Sequence, residues 1–243
     1  MNGAARPVLG GVFGGGGLFG IGYAMGILEG LSRRGISLAG TPILGTSAGS
    51  WAAAAVATGI TYEQMISADT PSFPNPKSGV LAAAAREIFG SARSNLVKAC
   101  ACSLPRLTRT VLDGARHDLA DMLAASSAVP GLLAPHEIEG VRYVDGGMRS
   151  GTSVDLGPDV DRLIVIAPLA GAMWGPFKGV IDRGMQSEIR RWRERTQGTG
   201  MLFTPVAVAA HIAKNPRHLF DRDRAVEAYH CGVEQAANDG EEF

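Results

Sequence analysis

The sequence predicts an α/β fold, a three-layer α/β/α sandwich around a mainly parallel central sheet. Short apolar segments of strand length alternate with longer helical segments, and glycine-rich turns separate them. Hydrophobic residues make up 46% of the 243 residues and charged residues 19%, which indicates a folded core and excludes a disordered chain. At this length we expect a single domain over residues 1–243.

The first quarter of the chain predicts two strand–turn–helix units. Residues 7–13 (PVLGGVF) predict a buried strand, four glycines follow, and the apolar pattern over 18–31 predicts a helix. Residues 41–44 predict a second short strand, and the alanine-rich residues 50–59 predict a helix that Gly59 ends. Ligands of open α/β sheets bind at the carboxyl ends of the strands, so reactive groups are expected in these turns.

The stretch over residues 7–28 has no charged residue and so also fits a signal peptide or a membrane span. Its glycines argue against both interpretations. Each glycine costs a lone helix about 1 kcal/mol relative to alanine, and residues 14–17 place four of them in the middle of the stretch. We therefore expect strand, loop and helix here, and no span that anchors the protein.

The later elements have clear patterns but one long ambiguous segment. Residues 71–79 predict a loop, and the alanine-rich residues 80–128 predict two or three amphipathic helices that cover the core or form a lid. Residues 136–144 (HEIEGVRYV) predict two short strands with a turn at Glu139 and Gly140. The remaining predicted elements are a strand over 162–168, a helix over 179–196, a strand over 201–204 and a helix over 224–237.

Composition excludes several kinds of partner. Lysine plus arginine and aspartate plus glutamate number 23 each, so no basic surface for a nucleic acid is indicated. Cys100, Cys102 and Cys231 leave one cysteine unpaired in any pairing, and the C-x-C pair lacks a second ligand pair at zinc spacing. We expect a reduced, cytoplasmic setting and no metal.

Residues 45–49 (GTSAG) fit G-x-S-x-G, the turn that lifts a serine hydroxyl out of a sheet. Gly45 and Gly49 would relieve the crowding around a strained backbone at Ser47. A predicted strand precedes this turn and a predicted helix follows it, and the helix N-terminus places positive potential beside the hydroxyl. These features favour a nucleophilic Ser47 over a plain strand-to-helix turn.

Residues 15–20 (GGGLFG) satisfy G-x-G-x-x-G between a strand and a helix. A dinucleotide site needs an acidic residue about 20 positions later, but residues 35–62 contain none, and no G-K-S or G-K-T follows. A nucleotide is therefore not expected. A run of glycine N–H groups at a helix start can instead hold an oxyanion, with close packing at a tight turn as the alternative. The glycines concerned are Gly15, Gly16 and Gly17 as oxyanion donors, and Gly20, which completes the motif.

Asp145 ends an apolar strand and precedes Gly146 and Gly147, so its carboxylate can occupy a tight, exposed turn. A plain Asx-turn without a catalytic role is the alternative.

The order Ser47, Asp145, His211 also complies with an α/β-hydrolase triad. However, Ser47 follows only the second strand, which is early for that fold. All five histidines lie in helical or proline-flanked contexts that favour surface or capping roles: His117, His136, His211, His218 and His230.

Together the three turns resemble the patatin-like phospholipase family. That family has a glycine-rich oxyanion loop on its first strand–helix unit, G-x-S-x-G on the second, and D-G-G or D-G-A about a hundred residues later; here Asp145 lies 98 residues after Ser47. Residues 125–147 (ASSAVPGLLAPHEIEGVRYVDGG) are similar to the family's helix–proline–strand segment before the aspartate. The motif-bearing part is residues 8–169, and residues 170–243 resemble the family in general build.

The resemblance implies a lipid acyl hydrolase of the phospholipase A or esterase type, with Ser47 as nucleophile, Asp145 as base and no cofactor. Its substrates would be fatty-acyl esters reached at a membrane or micelle surface, from a cytoplasmic protein with peripheral membrane contact. Two alternatives stay open from the residues. One is a Ser-Asp-His esterase, and the other is a catalytically inactive lipid-binding module.

Overall fold

The computed structural model describes residues 8–69, 71–173, 178–238 and 240–243. In this part of the chain nine strands form one mostly parallel sheet with helices on both faces, so the predicted α/β class is confirmed. The strands are β1 (Leu9–Phe13), β2 (Ile43–Thr46), β3 (Val97–Ser103), β4 (Thr108–Asp113), β5 (His136–Ile138), β6 (Val141–Asp145), β7 (Arg162–Ile166), β8 (Thr199–Phe203) and β9 (Glu241–Glu242). The single domain over residues 1–243 stays a prediction.

The central strands β3, β2, β1, β7 and β8 are parallel neighbours in that order. At one side of the sheet β6 and β4 pair antiparallel with β3, and β5 pairs with β6; at the other side β9 pairs antiparallel with β8. The two strands that carry the first two predicted turns, β1 and β2, therefore lie side by side in the middle of the sheet.

Eight α-helices lie within the described residues. They are α1 (Gly17–Arg33), α2 (Ala48–Thr58), α3 (Tyr62–Ser67), α4 (Val80–Phe89), α5 (Leu119–Ser127), α6 (Lys178–Thr196), α7 (Ala207–Ile212) and α8 (Arg222–Gln235). Helices α1, α2, α4 and α5 pack on one face of the sheet against residues such as Phe13 and Ile164. Helix α6 covers the opposite face, where Trp192 packs with Val12 and Val165.

The first two predicted units are confirmed with small differences at their ends. The predicted first strand began at Pro7, which lies outside the described residues, and β1 begins at Leu9. The turn predicted at Glu139 and Gly140 also forms, with φ values of 50° and 79°, which suit a two-residue hairpin turn. The later predicted segments correspond to β7, α6, β8 and α8, whereas α3, α7 and β9 were not predicted.

The prediction of two or three helices over residues 80–128 is wrong in its middle part. Helices α4 and α5 do form there, but β3 and β4 lie between them as a hairpin. Strand β3 (VKACACS) is rich in alanine and cysteine and carries Lys98, so its composition does not distinguish a strand from a helix. Pairing on both edges of β3 decides its conformation, because tertiary contacts override weak local propensity.

The glycines of α1 serve close packing against α8. A Cβ atom at Gly22 would lie 2.1 Å from the carbonyl oxygen of Ala225, and one at Gly26 would lie 2.1 Å from that of Tyr229. Only glycine permits this approach of two helices, so the packing offsets the cost of glycine within the helix. Among the described residues, no helix combines the length and the apolar character needed to cross a bilayer.

Candidate active site

Ser47 lies in a sharp turn between β2 and α2, as the G-x-S-x-G pattern predicts. Its backbone has φ 51° and ψ −124°, an unusual conformation for a residue other than glycine. The flanking glycines are required by close contacts. A Cβ atom at Gly45 would lie 2.3 Å from Cα of Ser50, and one at Gly49 would lie 2.0 Å from the carbonyl oxygen of Phe13. The turn leaves Ser47 8% exposed, at the edge of a cleft.

Strand β3 brings the Asp145 turn to Ser47. Thr46, the last residue of β2, pairs with Cys100, and Asp145, the last residue of β6, pairs with Ala101. Because β4 occupies the other edge of β3 over this length, β2 and β6 share one edge and meet end to end. The residues at this junction are in contact, and the Ser47 hydroxyl donates a hydrogen bond to the Asp145 carboxylate.

Asp145 is 5% exposed, and burial raises its pKa to about 6 because a buried carboxylate loses hydration. Hydrogen bonds from the Ser47 hydroxyl and from the N–H of Gly147, at 2.6 Å, oppose this rise by stabilising the charged form. Gly146 packs closely on β3, since a Cβ atom there would lie 2.3 Å from the carbonyl oxygen of Cys100. The carboxylate is therefore ionised near neutral pH and directed toward the serine.

The glycine loop after β1 lies beside Ser47, because a Cβ atom at Gly15 would be 3.3 Å from that of Ser47. The N–H of Gly15 donates to the carbonyl of Gly151 at 2.8 Å. Because this N–H already has an acceptor, Gly16 and Gly17 are the better candidates among the three predicted oxyanion donors, and the oxyanion role stays a prediction.

Gly16 and Gly17 have φ values of 149° and 60°, which favour glycine. Their N–H groups open α1 and have no acceptor among the described residues. The first N–H groups of a helix lack intrahelical partners and carry partial positive charge, so this end of α1 can receive an anion. Gly20 completes the motif by packing against α2, where a Cβ atom would lie 3.2 Å from that of Ala48.

The histidines lie elsewhere. His136 pairs with Asp121 at 3.0 Å, and His218 lies 2.9 Å from the side-chain amide nitrogen of Asn215. Over the ranges that the structure describes, no histidine hydrogen-bonds to Ser47 or Asp145, and none lines the cleft at Ser47. The contacts of Ser47 and Asp145 thus give no support to the alternative triad of Ser47, Asp145 and His211.

An apolar cleft opens at Ser47 and encloses about 850 Å³, including its mouth. Its walls come from α1, α2, α3 and α4, from the loops after α3 and α5, and from the segment before α8. Asp69 is the one charged residue among the described residues that line it. The larger apolar lining residues include Ile21, Trp51, Met65, Phe73, Leu81 and Phe220.

Comparison with known proteins bears on the part of the chain that holds Asp145. Residues 103–156 match the model of the family described as patatin-like phospholipase. Over this part, about a fifth of its length, the chain is similar to that family. The matched segment runs from the end of β3 through α5 to the turn after β6, and so it includes the predicted D-G-G motif.

Comparison with solved structures finds similarity to VipD from Legionella pneumophila and to human GIVD cytosolic phospholipase A2. VipD is 13% identical, with a TM-score of 0.48, over 99% of this chain and 68% of its own. The human enzyme is 10% identical, with a TM-score of 0.46, over 87% of this chain and 51% of its own. The chain thus spans about half the length of that phospholipase. No curated protein sequence matches this one.

Proposed function

We propose that this patatin-like protein is a lipid acyl hydrolase that uses Ser47 and Asp145 as a catalytic dyad. The hydrogen bond from the Ser47 hydroxyl to the buried carboxylate of Asp145 carries the proposal. A serine becomes nucleophilic when an adjacent base accepts its proton, and no other side chain is in that position among the described residues. The match to the phospholipase family points to esters of fatty acids as substrates.

In the first half-reaction Ser47 Oγ attacks the ester carbonyl carbon while its proton moves to Asp145. The carbonyl oxygen becomes an oxyanion, which the free N–H groups of Gly16 and Gly17 stabilise together with the positive end of α1. When the intermediate collapses, the carbon–oxygen bond to the alcohol breaks and the alcohol takes the proton from Asp145. The acyl group stays on Ser47.

In the second half-reaction Asp145 accepts a proton from water, and the hydroxide attacks the acyl carbon. The new oxyanion occupies the same N–H groups of Gly16 and Gly17. Collapse releases the fatty acid, and Ser47 regains its proton from Asp145. A carboxylate whose pKa is about 6 is ionised at neutral pH, yet it is more basic than an ordinary aspartate and accepts these protons more readily.

The cleft supports an apolar acyl group as the part of the substrate that is bound. Its lining is almost wholly hydrophobic, and burying a methylene group contributes about 0.8 kcal/mol. A chain of medium or long length would therefore bind better than an acetyl group. We propose contact with a membrane or micelle surface as the source of such chains, and the cytoplasmic setting stays a prediction.

Reaction with a fluorophosphonate tests the proposed function. Ser47 Oγ should displace fluoride from the phosphorus and retain the phosphonyl group, and mass spectrometry of proteolytic peptides should place that group on Ser47 alone. Ser47→Ala should abolish labelling. A folded wild-type protein that is not labelled would favour the lipid-binding module, and labelling that survives Ser47→Ala would move the nucleophile to another residue.

A further inference from the structure

Ser126, in the last turn of α5, contacts the backbone of Ser47 and not its hydroxyl. The N–H of Ser47 donates to Ser126 Oγ at 2.8 Å, and the Ser126 hydroxyl donates to the carbonyl oxygen of Cys100 at 2.7 Å. A serine hydroxyl has one proton, so its direction is fixed: Ser126 gives that proton to Cys100 and accepts from Ser47. Ser126 is fully buried, so water does not replace it.

The backbone of Ser47 needs an external partner. Its positive φ is a conformation that costs about 1–3 kcal/mol and persists only where the surroundings hold it. The pairing of β2 with β3 ends at Thr46, so the next N–H, that of Ser47, has no partner in the sheet. Ser126 accepts from that N–H, and the hydroxyl of Ser50 donates to the carbonyl of Ser47 at 2.6 Å. The peptide groups on both sides of the nucleophile are thereby fixed.

The second hydrogen bond of Ser126, to the carbonyl of Cys100, ends on β3, the strand that also positions Asp145. Cys100 pairs with Thr46, and its neighbour Ala101 pairs with Asp145. We propose that Ser126 is a positioning residue, which sets the separation of the Ser47 hydroxyl and the Asp145 carboxylate by tying the nucleophile's backbone to β3. This inference rests on the proposed function of Ser47 and Asp145.

Ser126 should affect kcat and leave KM nearly unchanged. Its neighbour Ser127 lines the cleft, whereas Ser126 does not, so substrate binding does not involve Ser126. A misplacement of about 1 Å between reacting groups lowers rates by about 10²-fold. We therefore expect Ser126→Ala to lower kcat and the rate constant of fluorophosphonate inactivation by about 10- to 100-fold, with KM within about twofold of wild type.

Three further variants complete the experiment. Ser126→Cys keeps nearly the same volume but offers a weaker acceptor, so it should be slow as well and serves where Ser126→Ala does not fold. Ser126→Thr keeps the hydroxyl and should stay within about threefold of the wild-type rate. Ser153→Ala is the matched control, because Ser153 is also fully buried and donates to Cys100, but to its sulfur atom at 3.4 Å. It should leave the inactivation rate unchanged.

The outcomes separate this inference from the proposed function. A folded Ser126→Ala or Ser126→Cys variant that reacts as fast as Ser153→Ala would overturn the positioning role while wild-type labelling at Ser47 still stands. A Ser126→Thr variant as slow as Ser126→Ala would contradict a role through the hydroxyl. A wild-type protein without labelling at Ser47 would overturn the proposed function and this inference together.

Discussion

The turn at Ser47 and the turn at Asp145 meet at one point of β3, but they are held there in different ways. The Ser47 turn depends on Gly45 and Gly49, which lie within two residues of the nucleophile and allow close backbone contacts. The Asp145 turn depends on pairing of β6 with a strand some forty residues earlier in the chain. The shape of the Ser47 turn is therefore encoded mainly by nearby residues, with Ser126 fixing it from α5, whereas the position of Asp145 depends wholly on tertiary structure.

Replacing Ser47 or Asp145 should have the largest effect on activity. Ser47→Ala deletes the attacking oxygen, and Asp145→Asn deletes the proton acceptor while it nearly preserves side-chain shape. We expect kcat to fall by about 10²- to 10⁴-fold or more in both variants, because general base catalysis contributes a factor of that size. Steady-state hydrolysis of a long-chain ester measures it. An Asp145→Asn variant with wild-type kcat would contradict the role of Asp145 as the base, because catalysis would then depend on the Ser47 turn alone.

The glycine loop gives the next largest effect. A methyl group at Gly16 would lie 3.0 Å from Cα of Gly20 and would displace the N–H groups that face the site. Gly16→Ala should lower kcat by about 10²- to 10³-fold and leave KM nearly unchanged, because these donors act in the transition state.

Gly35→Ala is the matched control for the loop. Gly35 also has positive φ, at 79°, but nothing lies within 4 Å of a Cβ atom there. This variant should lower the melting temperature and leave kcat unchanged. A folded Gly16→Ala variant with wild-type kcat would argue that Gly16 serves packing alone.

The cleft gives a smaller, selective effect. Ala84 on α4 lines it, so Ala84→Phe should shorten the space for an acyl chain, whereas Ala83→Phe on the exposed side of α4 should not. We expect Ala84→Phe to lower the ratio of kcat/KM for long-chain over acetyl esters by about tenfold. An unchanged ratio would place the acyl chain outside this cleft.

The smallest expected effect is on stability. The pKa of Asp145 is about 6 in the folded protein and near the ordinary value of 3.8 in the unfolded chain. The folded state therefore binds more protons than the unfolded state between about pH 4 and pH 6. Burial of the carboxylate therefore destabilises the protein fully above pH 6 and not at all below pH 4. Asp145→Asn should raise the free energy of unfolding by about 1–3 kcal/mol at pH 8, and this gain should vanish toward pH 4. Urea titrations at both pH values measure the difference, and a destabilised variant at pH 8 would contradict it.

The sequence predicts the locally encoded parts of this molecule. Strand, turn and helix around Ser47 follow from a short apolar segment, two glycines and an alanine-rich segment that ends at Gly59. The β5–β6 hairpin follows from alternation and from a turn at Glu139 and Gly140. In each case the sequence signals that predict the element lie within a few residues of it.

The parts that were missed depend on distant residues. Strand β3 is alanine-rich and gains its conformation from its neighbours, although the β-branched alternation of β4 (TRTVLD) is a signal that could have identified the hairpin. Occupation of the Gly15 N–H by the Gly151 carbonyl leaves no trace in local sequence. The link from Ser126 to Ser47 likewise joins residues that only the fold brings together.

The pH dependence of fluorophosphonate inactivation tests the dyad most directly, because it measures reactivity of the nucleophile without substrate binding or product release. The inactivation rate should rise with pH through one ionisation near pH 6, where Asp145 loses its proton, and then stay constant. The same profile should persist when each of the five histidines is replaced by alanine, and the rate should collapse in Asp145→Asn. A folded His211→Ala variant that loses this reactivity, or an Asp145→Asn variant that keeps it, would contradict a Ser47–Asp145 dyad.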